Sequence, residues 1–137
     1  MIDNVKEKIE DKIIDLIALG ASGRLVVFKP EKSDKDLIVD RRSSYDKKTI
    51  SLNIYEGNFF NDQDIQIKVK ELAEQKNLNA DEDFYLIFVY FDVVKQDISD
   101  NFWVIPSSKL TGLINEEDFS KFLISRGDFI RFLIEEK

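Results

Sequence analysis

The chain has no cysteine and no histidine, and only two prolines and one tryptophan in 137 residues. Without cysteine there is no disulfide, no thiolate nucleophile and no Cys/His zinc site. Without histidine there is no imidazole general base. Any hydrolytic chemistry therefore rests on Asp, Glu, Lys, Tyr, Ser or Thr, with a hard ion such as Mg²⁺ or Mn²⁺ held on oxygen ligands. Long apolar runs are missing as well. The longest, Phe84 to Phe91, falls far short of the ~20 residues that a membrane span needs. The N-terminus opens directly into a charged amphipathic pattern with no apolar leader, so the expected location is cytoplasmic, away from any membrane. Positive charge is in deficit: 20 basic against 27 acidic side chains give a net charge of −7. That balance disfavours bulk, sequence-independent binding of nucleic acid, which needs a basic footprint.

What is present is enough for a core. Hydrophobic residues make up 43% of the chain and include 11 phenylalanines, which argues against intrinsic disorder. The length suits one domain spanning 1–137. There is no internal repeat, low-complexity tract or dividing linker.

Periodicity supplies the elements. Val5, Ile9, Ile13, Leu16 and Ile17 form one apolar stripe, which predicts a first helix ending at Gly20 in a left-handed C-terminal position. Arg24–Lys29, Asp36–Asp40 and Thr49–Tyr55 read as three strands joined by short polar connections, an antiparallel meander. In the third, Ile50, Leu52 and Ile54 share one face and Ser51, Asn53 and Tyr55 the other. A second helix runs from Asp62 to Gln75, with Asn61 and Asp64 as its capping pair and Ile65, Val69, Leu72 and Ala73 as its buried stripe. Phe84 to Phe91 does not alternate, which predicts a central strand covered on both faces. Phe102–Pro106 is a shorter strand. The remainder reads as helical, with Phe119, Phe122 and Leu123 before a break near Gly127 and Phe129, Ile130, Leu133 and Ile134 after it.

The predicted fold class is therefore α/β, in the order α-β-β-β-α-β-β-α. A five-stranded mixed sheet carries helices on both faces, with the third and fourth strands parallel across a helical crossover.

Charge is uneven. Eight basic and five acidic residues lie between Arg24 and Lys48, whereas six acidic residues and one basic lie between Asp81 and Asn101. Lys35, Arg41, Arg42, Lys47 and Lys48 are thus the candidates for contacting a nucleic-acid phosphate. As ordinary solvated residues they would instead guard the sheet edge. The clustered aromatics from Phe84 to Trp103 suit a base-stacking platform or, more simply, a core; Tyr90 and Trp103 each have a polar end that needs a partner if buried. Arg126-Gly127-Asp128 spells an integrin-recognition tripeptide, which a helix break at Gly127 explains as chance.

This element order, with Glu10 ten residues before Gly20 and Asp36 opening Asp-Leu-Ile-Val, resembles the restriction-endonuclease-like PD-(D/E)XK superfamily of metal-dependent nucleases over roughly Glu7 to Pro106. The resemblance implies a helix Glu, an Asp at the start of the second strand, and Glu-X-Lys or Gln-X-Lys on the third. Glu10 and Asp36 match, and Asp36 is the metal ligand that the resemblance implies. The third strand departs from the pattern: Leu52-Asn53-Ile54-Tyr55 sets Asn53 in the acidic position and Tyr55 in place of the lysine. An amide is a weaker ligand than a carboxylate, and a Tyr hydroxyl is uncharged at neutral pH. Two repairs are conceivable from sequence: Glu56 turned toward Asp36 by a bulge at Gly57, or a lysine (Lys48, Lys68 or Lys70) reaching in from elsewhere.

The expectation is a degenerate nuclease-like domain that binds nucleic acid or protein. Its alternatives are a live Mg²⁺- or Mn²⁺-dependent nuclease using Asp36 with Glu10 or Glu56, and a homodimeric interaction module pairing through the second and third strands or the Phe-rich C-terminal helix.

Overall fold

A computed structural model describes residues 5–21, 23–31, 35–42, 47–57, 62–74, 84–107 and 122–135. Helix α1 (Val5–Gly20) buries Ile9, Ile13 and Ile17, the expected stripe at helical spacing. Its ending differs from expectation. Gly20 stays helical, and a Cβ there would meet Ile130 at 3.1 Å, so glycine admits the close approach of another element. The left-handed backbone comes later, at Gly23, with φ 83°, where it turns the chain into the first strand.

Strands β1 (Leu25–Phe28), β2 (Leu37–Arg42) and β3 (Lys47–Glu56) form the antiparallel meander. Helix α2 (Asp62–Glu74) then crosses to β4 (Tyr85–Val89), which pairs with β3 in parallel. Phe91, expected to end that strand, instead begins β5 (Phe91–Asp92), paired with β6 (Asp97–Ile98) in a separate two-stranded ribbon. Strand β7 (Asn101–Pro106) returns antiparallel to β4.

The C-terminal part corrects the sequence reading. Leu123–Ser125 is a strand, β8, on the edge of β7, so the main sheet has six strands rather than five, in the order β1-β2-β3-β4-β7-β8. Backbone pairing with β7 outweighs a short apolar pattern that suited either element. Helix α3 (Arg126–Glu135) starts one residue later. The Ser125 hydroxyl accepts a hydrogen bond from the Asp128 N–H at 3.2 Å, the N-cap geometry that satisfies an orphan donor. Gly127 therefore lies inside the first helical turn, and the break falls at Ser125. Phe119 and Asn61 lie outside the described residues.

Two apolar layers sandwich the sheet. On one face α1 and α3 pack on Leu37, Val39, Ile50, Leu52, Ile54, Ile87 and Val104. On the other, Ile65, Val69 and Leu72 of α2 pack on Leu86, Phe88, Trp103 and Ile105. Strand β4 feeds both layers with alternate residues, as its unbroken apolar run requires. Each fully buried Leu, Ile or Phe contributes roughly 1.5–3 kcal/mol. Strands β2 and β3 are paired on both sides, and Phe129 of α3 is buried against Phe102, ring centroids 5.0 Å apart. Among the described residues, no helix is long and apolar enough to cross a membrane.

Candidate functional site

The start of β2 lies beside the end of β3 and under the first turns of α1. Asp36 sits at that junction, held by backbone on both sides. Its N–H donates to the Leu52 carbonyl at 2.9 Å and to Asn53 Oδ1 at 3.2 Å. Its carboxylate Oδ2 accepts the Ile54 N–H at 2.6 Å, and its other oxygen meets the Lys6 ammonium at 2.9 Å. Glu10, one turn further along α1, faces the same junction. Lys29, just past β1, stands 3.6 Å from Glu10 and 3.0 Å from Asp11.

The charge of Asp36 acts on Glu10. Burial pushes the Glu10 carboxyl above the ordinary carboxylate range, and the nearby Asp36 charge pushes it further, while Lys29 and Lys6 pull it back. Lys29 is raised, chiefly by its hydrogen bond to Asp11. Glu10 and Asp36 thus face one junction, and Lys6 and Lys29 stand at it with them. The sequence reading looked for a cation on β3 or α2 and missed both. The available signal was spacing, since Lys6 precedes Glu10 by four residues and shares its side of the helix.

The other candidates go elsewhere. Asn53 is buried and accepts the Asp36 N–H, which is a structural task. Tyr55 lies on the α2 face, stacked on Phe88 with centroids 5.3 Å apart. Glu56 is exposed, and the ladder runs through it without offset, pairing Glu56 with Val89 and Gly57 N–H with the Val89 carbonyl at 3.1 Å. No bulge turns Glu56 toward Asp36. Lys68 pairs with Glu71 at 3.8 Å along its own helix.

Two of the five basic candidates are also built into the fold. Lys35 is buried, with its ammonium 4.3 Å from the centre of the Phe84 ring. Arg41 is buried and donates from Nε and Nη2 to the Leu133 carbonyl at 3.1 and 3.0 Å. Neither head is turned outward to a phosphate. The side chains of Arg42, Lys47 and Lys48 lie outside the described residues. In the tripeptide, Arg126 bonds the Ile98 carbonyl and pairs with Asp97 at 3.3 Å.

Mg²⁺ wants near-octahedral oxygen ligation from carboxylates that carry net negative charge. Here two ammonium groups are already paired with the three carboxylates of Asp36, Glu10 and Asp11. No cluster of three or more Asp or Glu suited to a metal occurs among the described residues. The donor set does not fit a resident Mg²⁺ or Mn²⁺.

Compared with protein-family models, curated proteins and solved structures, the chain finds no match.

Proposed function

We propose that this domain has restriction-endonuclease-like architecture and a degenerate site, and that it works by docking a protein rather than by cutting nucleic acid. The architecture is supported by elements α1-β1-β2-β3-α2-β4, which follow the α-β-β-β-α-β order of that superfamily, by the parallel β3–β4 pair, and by the Glu10–Asp36 junction where a nuclease would gather its acids. The observation that carries the loss of cutting is the charge pairing: Lys6 holds Asp36 at 2.9 Å, and Lys29 spans Glu10 and Asp11. The inward turn of Lys35 and Arg41 on a chain of net charge −7 favours protein over nucleic acid as the partner. The test is to incubate the protein with single- and double-stranded DNA in Mg²⁺ or Mn²⁺ and to titrate it with Mn²⁺ by calorimetry. No cleavage, no binding heat and no salt-dependent retention on DNA are expected. Metal-dependent cleavage abolished by Asp36→Ala would sink the reading.

A second reading is favoured by one observation. Lys6 places an ammonium next to Asp36 and close to Glu10, so the set of two acids and one cation is present even though Tyr55 cannot supply the charge. In that case Lys6 would steady a phosphate, and the same incubation detects the activity.

A further inference from the structure

The turn between β5 and β6 holds two apolar side chains out in water. Val93 is 61% and Val94 94% exposed. The turn is firmly built. Asp92 Oδ1 accepts the N–H groups of Val94 at 2.9 Å and Lys95 at 3.2 Å, and the Gln96 side chain donates to the Val93 carbonyl at 2.7 Å. Gln96 itself takes a left-handed φ of 53°, a conformation that costs energy outside glycine. Lys8 reaches Gln96 at 3.3 Å, which fixes the turn against the N-terminal half of α1. At the far end of α1, Leu19 is 86% exposed. Between them runs an open groove of about 430 Å³, lined by Lys12, Asp15, Leu16, Leu19, Ile98 and Arg126 among others.

We propose that this face, the outer stripe of α1 with the β5–β6 turn, takes a second copy of this chain about a two-fold axis. The proposal names a partner for the docking role above and rests on that reading. Its geometry is separate, because Lys8, Lys12, Asp15 and Leu19 lie on the side of α1 away from Glu10. Lys8 and Leu19 are eleven residues apart, or ~16 Å along the helix. A two-fold axis midway crosses the two α1 helices antiparallel. It sets the protruding valines of each copy, which stand beside Lys8, against the Leu19 end of the other copy's groove. The same operation brings Lys12 of each copy toward Asp15 of its partner, an opposite-charge pair at the centre.

Self-complementarity of this kind is what an isologous contact demands. Charge permits it: Lys8, Lys12, Lys95 and Arg126 balance Asp15, Asp92, Asp97 and Asp100 here, whereas the chain as a whole carries −7 and would repel its copy elsewhere. Its exposed apolar anchors are few, Val93, Val94 and Leu19, where a stable interface buries ~800 Å² per partner. The pair is therefore transient and dependent on concentration.

Sedimentation equilibrium of the full chain from micromolar to millimolar concentration tests this. The expected result is a mass rising from 16.0 kDa toward twice that value. Val94→Lys and Leu19→Glu, both at exposed positions, should each keep the fold by circular dichroism and weaken the pair by about tenfold or more. Mixing the two variants should restore the heavier species, because each mixed pair keeps one apolar contact and gains one between opposite charges. A monomer mass throughout overturns the proposal, as does association that neither variant disturbs. Neither result bears on the cleavage and Mn²⁺ measurements, so failure here is distinguishable from failure of the degenerate-site reading.

Discussion

The Lys6 ammonium lies 2.9 Å from the Asp36 carboxylate, an ion pair between the second residue of α1 and the turn that opens β2. If this cation closes the site, Lys6→Met leaves Asp36 unpaired beside Glu10, and Mn²⁺ binding by calorimetry should strengthen relative to the parent chain without cleavage of DNA. If Lys6 instead serves catalysis, the parent cleaves and Lys6→Met does not. One substitution thus separates the two functional readings by the sign of its effect.

Glu10 should report the same junction through pH. Its carboxyl is raised in the folded chain, by burial first and by Asp36 second. A raised acid binds more protons folded than unfolded, so it lowers stability as pH climbs from its ordinary value through its folded value. Glu10→Gln should therefore raise Tm at pH 7 and change it little at pH 4, measured by thermal melts across that range. Equal shifts at both pH values would show that titration plays no part.

Asp97 predicts the opposite sign. Burial opposes its ionisation, but the Ile98 N–H and the Arg126 guanidinium overcome that and hold its carboxyl below the usual range. The stability it contributes is full above its unfolded pKa and is lost as pH falls through the folded one. Asp97→Asn should lower Tm at neutral pH and converge with the parent in acid.

Arg41 should matter for stability and not for binding phosphate. It is buried, and its Nε and Nη2 both donate to the Leu133 carbonyl in the last turn of α3. Removing a charged donor from such a bond costs about 1.5–3 kcal/mol. Arg41→Met should lower urea stability by that order, and Arg41→Lys should fail to restore it because the fork geometry is lost. Retention on a DNA column should be unchanged by either.

Ser125→Ala tests the boundary that the sequence reading misplaced. Loss of the hydroxyl that accepts the Asp128 N–H should cost about 1 kcal/mol, read as a lower denaturation midpoint.

The legible parts of the fold were those in which one signal repeated. The stripe from Ile9 to Ile17 specified α1, and the unbroken run around Ile87 and Phe88 marked a strand covered on both sides. Strand β8 has three residues, too few for any period to show, and it exists because β7 offers an edge. Of the candidate site, Glu10 and Asp36 were singled out through the resemblance alone, and the charge of Asp36 is felt at Glu10. Lys29 reaches Glu10 from beyond β1, a tertiary approach that no local pattern encodes. Lys35 and Arg41 misled for a plain reason. Charge counts treat every lysine and arginine as solvated, although a long apolar stem lets either run inward when an aromatic ring or a helix-end carbonyl awaits its head.

The bond from Arg41 to Leu133 joins positions 92 apart in sequence. A bond of that span closes a long loop, so it forms only when the meander and α3 meet on one face of the sheet. The strand and the last turn of α3 are thus locked as one unit, and a change that loosens that turn loosens β2 with it.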